Sequence, residues 1–164
     1  PDISVLAGYG LITSSEMCKQ YTLLNLHPAL PGGPTGTWRQ VINRLIQQCS
    51  KTHGVMLHLA TEELDQGPVV SYTKFPITGS IFNSMWREEA GKRCSGKGNL
   101  QIGESDLFKT IRKEGIRRER PLLVETLKVL ASKRIKIIGN QVQDLLGEEI
   151  SGICLYREVE LVLT

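Results

Sequence analysis

An amide, an imidazole and a carboxylate, three groups that can act together on a carbonyl carbon, stand at two places in this sequence. The stretch YTLLNLHPALP, Tyr21 to Pro31, carries Asn25 and His27 at the end of an apolar run that Pro28 stops. Residues i and i+2 of a strand face the same side, so the amide and the imidazole look out together from the lip of a buried strand. In open α/β sheets the ligand crevice lies beyond the carboxyl ends of the strands. There an amide donor and an imidazole can polarise a carbonyl oxygen and move a proton. The pair alone also fits a turn-forming asparagine and a hydrogen-bonded strand-end histidine. Asp65, in TEELDQGPV, supplies the carboxylate. Beside an imidazole it fixes the tautomer and supports the charged ring; on its own it reads as the shaper of an acidic turn before Gly67 and Pro68.

Strands and tight connections must position these groups. DISVLAG, Asp2 to Gly8, is a short apolar run closed by glycine, as in a strand buried on both faces of a parallel sheet. MCKQY is a weak helical link, TLLNLHP a second buried strand, and PALPGGPTG an irregular loop. Thr37 and Gln40 have capping-box spacing. Trp38, Val41, Ile42, Leu45, Ile46 and Cys49 follow at intervals of three and four, so a helix turns one apolar stripe to a sheet and closes over Lys51 to Gly54.

GVMLHLAT and GPVVSYTKFPI read as strands around the acidic turn EELDQG, able to pair as a hairpin. From Gly79 to Glu104 the pattern weakens, and the segment reads as an inserted, partly mobile loop. A helix follows from Ser105 and another from Pro121, since proline suits the first helical position. Leu122, Leu123, Thr126, Leu127 and Leu130 supply its buried face. RIKII and ICLYREVELVL are expected as late edge strands, because charges alternate along them. The alternation of strands and helices predicts an α/β fold, a mostly parallel sheet with flanking helices. One domain spans 1–164: a core over 1–78, the insertion at 79–104, then helices and edge strands over 105–164.

At 164 residues the chain is long enough for such a domain. A net charge of +3 makes no electrostatic case for or against an anionic partner. No apolar run reaches the roughly eighteen residues of a membrane span, and nothing resembles a signal peptide, so no membrane role is expected. Cys18, Cys49, Cys94 and Cys154 are scattered, with no CxxC pair and no histidine at zinc-like spacing. Reduced thiols in a cytoplasmic protein, and no structural metal, are expected. The abrupt entry into a strand pattern at Pro1 suggests a piece of something longer.

VLAGYG, LLNLHPALP, HGVMLHLATEELDQGPVV and FPI occur in the order and spacing of the folate-dependent formyltransferases, which the chain resembles, most closely their glycinamide ribonucleotide branch. The resemblance covers residues 1–78 and returns in RRERPLLVETLKVLASKRIKI, similar to the closing helix and following strand of that family. It implies the carboxyl-terminal part of a Rossmann-like formyltransferase fold and transfer of a formyl group from 10-formyltetrahydrofolate, as co-substrate, to an amine. Asn25 and His27 would then stabilise the tetrahedral oxyanion. Asp65 would hold a water, relay the amine's proton and tune His27. No metal is required.

By the same resemblance, Gly10, Leu11, Ile12 and Thr13 on one loop, and Ala60, Thr61 and Glu62 on the other, would border the folate pteridine. His58 matches a family histidine near the site, with plain packing as the alternative; His53 reads as structural. A homodimer stays open.

Three features depart from the family pattern. No glycine-rich turn, which in the family cradles the nucleotide phosphate at a helix amino end, precedes Pro1. The chain therefore reads as part of a larger enzyme or as a reduced relative. The loop after His27 and Pro28 lacks the family's further histidine, and Gly79 to Glu104 is long. These leave room for another amine, for hydrolysis of formyl-folate, or for a truncated chain that binds folate without catalysis. GKRCSGKG, Gly91 to Gly98, has phosphate-loop glycine spacing but ends in Gly98 where Ser or Thr is needed, and follows a helix-like stretch, so it reads as a flexible surface loop. IRKEGIRRER, Ile111 to Arg120, reads as a solvated face, and no nucleic acid partner is expected.

Overall fold

The computed structural model describes residues 2–8, 11, 13–94 and 105–164. Its centre is a five-stranded sheet in the order β1 (Ser4–Leu6), β2 (Leu23–His27), β3 (Thr52–Leu59), β4 (Val69–Pro76), β7 (Ile153–Cys154). The sheet is mixed: β1 and β2, and β4 and β7, run parallel, whereas β3 is antiparallel to both its neighbours. The expected hairpin is thus β3 and β4, with a bulge between Leu57 and His58. β1 is half-buried at the sheet edge, not enclosed on both faces as its apolar run suggested.

The helices are α1 (Ser15–Gln20), α2 (Trp38–Gln47), α3 (Ser80–Cys94), α4 (Asp106–Ala131) and α5 (Tyr156–Leu163). The capping box on α2 forms: Thr37 Oγ1 accepts from the Gln40 amide, and the Gln40 side chain accepts from the Thr37 amide at 2.8 Å. Val41, Ile42, Leu45 and Ile46 are its buried stripe, while Cys49 falls past the helix end, exposed and at φ 51°.

Alternation along the strands separates core from site. Leu24, Leu57 and Leu59 join Leu122, Val129, Leu155 and Val159 of the carboxyl-terminal helical part in one core cluster. Asn25 and His27 hold the alternate positions of β2 and so emerge on the opposite face. A second cluster joins Ile42 and Ile46 of α2 to Phe75, Ile77 and Phe82, and to Phe108 and Ile111 of α4.

Further expectations need correction. Pro121 does not start a helix but lies inside α4. The helix runs on because Ile111, Arg118, Leu122, Thr126 and Val129 are all buried along it, and the packing holds the two halves in line. Gly79 to Glu104 is not a loop throughout: residues 80–94 are α3, which Phe82 anchors while Trp86 Nε1 donates to Ile77 O at 2.6 Å.

The stretch ICLYREVELVL is a strand only at Ile153–Cys154, after which it becomes α5, because Leu155 and Val159 at i and i+4 are fully buried. RIKII contributes β5 (Lys136–Ile138), which pairs with β6 (Gln141–Gln143) in a separate two-stranded sheet and not at the main edge. Of GKRCSGKG, Gly91 to Cys94 end α3; the rest lies outside the described residues.

Arg118 ties α5 to this frame. Its guanidinium takes Glu160 in a two-toothed pair at 2.7 and 3.2 Å, reaches Glu114 at 2.9 Å and lies over the Phe75 ring. The ion pairs satisfy a cation that is nearly buried. Leu57 supports the site strand most directly, since it is fully buried on β3 beside β2 and pairs across the ladder with Leu26. Leu57→Ala is expected to cost about 2–5 kcal/mol of folding free energy, read as a lower denaturant midpoint; an unchanged midpoint would contradict this packing.

Candidate active site

The structure brings Asn25, His27 and Asp65 together, and adds His58. Asn25 and His58 are directly opposed in the antiparallel ladder of β2 and β3, which places them on one face. Asn25 Nδ2 lies 3.1 Å from His58 Nε2 and donates to Asp65 Oδ1 at 3.3 Å. His27 Nδ1 stands 3.4 Å from Asp65 Oδ1, and the His27 and His58 rings meet edge to face at 6.0 Å. The family resemblance pointed to His58 in the sequence, but only the β2–β3 register sets it opposite Asn25.

Asp65 reaches this point from a turn. Its own φ is 57°, a left-handed conformation that aspartate tolerates better than most residues. Gly67, two residues on, runs against the Leu59 carbonyl so closely that any Cβ would collide with it. The turn can therefore fold back on β3 only with glycine there.

A loop covers the cluster. His27 Nε2 donates to the Pro34 carbonyl at 3.1 Å, and the Gly36 amide donates to Asp65 Oδ2 at 2.9 Å. Gly36 has a φ of 103°, which favours glycine. The His27 and Asp65 side chains are only 4% and 6% exposed. Both ring nitrogens of His27 thus face oxygen atoms, Nε2 that of Pro34 and Nδ1 that of Asp65.

His58 is held differently. Its Nδ1 donates to the Leu59 carbonyl at 2.9 Å, and burial pushes its pKa below the ordinary 6.5, which favours the neutral ring. The neighbouring His27 ring adds to that effect, while the Leu59 bond and Asp65 oppose it.

The segments expected to border a pteridine are placed in part. Gly10 and Ile12 lie outside the described residues. Leu11 is exposed, and Thr13 Oγ1 is 3.3 Å from Cys18 Sγ. On the other loop, the Ala60 amide donates to Leu23 O, Thr61 Oγ1 donates to Glu63 O, and Glu62 pairs with Lys19 of α1 at 2.7 Å. That ion pair links the second loop to the helix that follows the first. Among the described residues no group of His, Cys, Asp and Glu is placed to hold a metal ion, and no helix is long and apolar enough to cross a membrane.

His53 is brought to a different place, buried against Phe75 at 5.3 Å between ring centres, as a structural histidine would be.

These features can be set beside known proteins. Residues 1–82, half of the chain, match the family model described as "Formyl transferase", and the chain belongs to that family. It is similar to the phosphoribosylglycinamide formyltransferase of Escherichia coli (strain K12), 38% identical over 81 residues that cover 47% of this chain and 36% of the relative. The enzyme of the same name from Dictyostelium discoideum is 34% identical over 85 residues, covering 46% and 41%. Among solved structures, the phosphoribosylglycinamide formyltransferase of Coxiella burnetii superposes with a TM-score of 0.67 at 25% identity, over 94% of this chain and 61% of that one. The chain thus has a Rossmann-like formyl transferase fold and spans less than half the length of these curated relatives.

His53 makes a pH prediction. Burial is the main cause that lowers its pKa from 6.5 to about 3, with the positive charge of Arg112 and then the His27 ring behind it. The unfolded chain therefore takes up a proton that the folded chain refuses, and stability is lost as pH falls from 6.5 toward about 3. The wild type should lose about 1.4 kcal/mol per pH unit relative to His53→Gln in that range. Parallel curves of unfolding free energy against pH would show that His53 protonates freely in the folded state.

Proposed function

We propose that this chain carries the catalytic and folate-binding part of an enzyme that moves the formyl group of 10-formyltetrahydrofolate to the amine of glycinamide ribonucleotide. The observation that carries the reading is the meeting of His27, Asp65 and Asn25 from two separate segments in one cluster. The names of the relatives in sequence and structure support the acceptor.

The chemistry follows from the hydrogen bonds. His27 Nε2 now donates to a main-chain oxygen of Pro34. That oxygen stands in for the formyl oxygen, which on attack would take the same donor as it gains charge. The amine nitrogen bonds to the formyl carbon, and the carbonyl π pair moves onto oxygen. The nitrogen's proton passes to Asp65, directly or through a water. When the carbonyl re-forms, the bond from carbon to N10 breaks and the proton held by Asp65 passes to N10, which leaves a formamide and tetrahydrofolate. An oriented donor to the developing oxyanion contributes about 10²–10³ in rate, and a positioned base about 10²–10⁴. The pteridine would lie between the segment around Leu11 and Thr13 and the loop of Ala60, Thr61 and Glu62. Entry requires the Pro34–Gly36 stretch to release His27 and Asp65, since it covers both.

The full-length protein should formylate glycinamide ribonucleotide, with His27→Ala and Asp65→Asn each losing about 10²-fold or more of kcat. A panel of acceptors that includes an amino sugar nucleotide and water tests the choice of amine. Unimpaired turnover by both variants would end the proposal.

A further inference from the structure

The cap of α2 and the carboxylate of the site meet at one residue. Gly36 donates its amide hydrogen to Asp65 Oδ2 at 2.9 Å, and the next amide, that of Thr37, donates to Gln40 Oε1 at 2.8 Å. A main-chain N–H can only donate, so the oxygen of the Gln40 carboxamide is the end that faces Thr37. The Thr37 hydroxyl donates to the same oxygen at 2.9 Å. The Gln40 side chain then lies along Gly36: a Cβ there would stand 2.6 Å from Oε1, 3.4 Å from Cδ and 3.7 Å from Gln40 Cβ. Gly36 has a φ of 103° and no side chain, so nothing of its own holds that torsion. It is held from outside, by Asp65 at its own amide and by Gln40 at the following one.

We infer that Gln40 is a positioning residue for Asp65: its side-chain oxygen fixes the Thr37 amide, and with it the rotation about Gly36 that aims the Gly36 N–H at the carboxylate. Gln40 is therefore more than the second half of a capping box. A carboxylate with one oxygen tied to the main chain is hindered from turning about its Cβ–Cγ bond. Asp65 Oδ1 then stays turned to Asn25 Nδ2 and His27 Nδ1, 3.3 and 3.4 Å away. The inference rests on the formyl-transfer reading, in which the amine's proton goes to Asp65. The orientation of the group that takes a proton governs the rate of that step. The stretch over the site has to release Asp65 for entry, and Gln40 governs its return. Thr37 stays with α2 while the residues before it move, so the Gly36 amide comes back to the same oxygen.

Three variants of the full-length protein separate positioning from helix stability. Methionine at position 40 fills similar space without an oxygen, whereas glutamate keeps an oxygen for the Thr37 amide. Gln40→Met should lose about tenfold of kcat, the worth of one hydrogen bond to a charged group, with little change in KM for formyl-folate. Gln40→Glu should keep kcat near the wild type. Ser105→Ala removes the side-chain cap of α4 and measures what a weakened helix does by itself. It should lower the unfolding midpoint and keep kcat. If Gln40 served only to cap α2, Gln40→Met would behave as Ser105→Ala does, and that result would overturn the inference. Amide hydrogen exchange gives a readout free of catalysis. The Gly36 amide should exchange about tenfold faster in Gln40→Met than in the wild type, and at the wild-type rate in Gln40→Glu. An unchanged Gly36 rate in Gln40→Met would defeat the inference. Should the wild type transfer no formyl group to any amine, the functional reading falls, while the Gly36 rate still decides whether Gln40 holds that amide on Asp65.

Discussion

One buried carboxylate aligns the whole site. Asp65 takes a hydrogen from the Gly36 amide on one oxygen, and on the other takes one from Asn25 and faces His27. A charge removed from water is costly unless it is paired and hydrogen-bonded. The loop after β2, the end of β2 and the turn after β3 must therefore keep their mutual positions for Asp65 to be satisfied. The dependence also runs the other way. Gly67, pressed against Leu59, and the left-handed backbone of Asp65 bring the carboxylate to this point.

The sheet makes such a cluster affordable by dividing its two faces. Successive residues of β2 alternate between the core beneath α4 and α5 and the polar face where Asn25 and His27 emerge. Leu57 and His58 do the same on β3, and a bulge falls between them. A bulge adds twist and re-aims a side chain, and here the residue beyond it is the one that meets Asn25. The apolar half of each strand thus supplies rigidity to the polar half. The ion pairs of Arg118 then lock α5 against α4.

Much of this could be read from local pattern. The capping box and stripe of α2 are local by nature, since a helix makes its contacts within a few residues, and they appear where expected. The β3–β4 hairpin is likewise local. Errors arose where local pattern was degenerate. A proline looks alike at a first helical position and in mid-helix, and distant packing along α4 decided between them. VELVL fits period two as well as a helical turn, and the buried pair Leu155 and Val159 resolves it as α5. The helix of residues 80–94 has too weak an apolar stripe to announce itself, and is anchored chiefly by Phe82 and Trp86.

By itself the sequence determined which side chains were available and which of them shared a face: Asn25 with His27 by strand alternation, and a carboxylate leaving a turn at Asp65. Those are consequences of backbone periodicity and of turn chemistry, which operate over a few residues. Only the tertiary structure decided that His58 opposes Asn25 and that Pro34 and Gly36 cover the cluster. Each depends on strand register or on a hydrogen bond between segments far apart in the chain, and no local pattern encodes either.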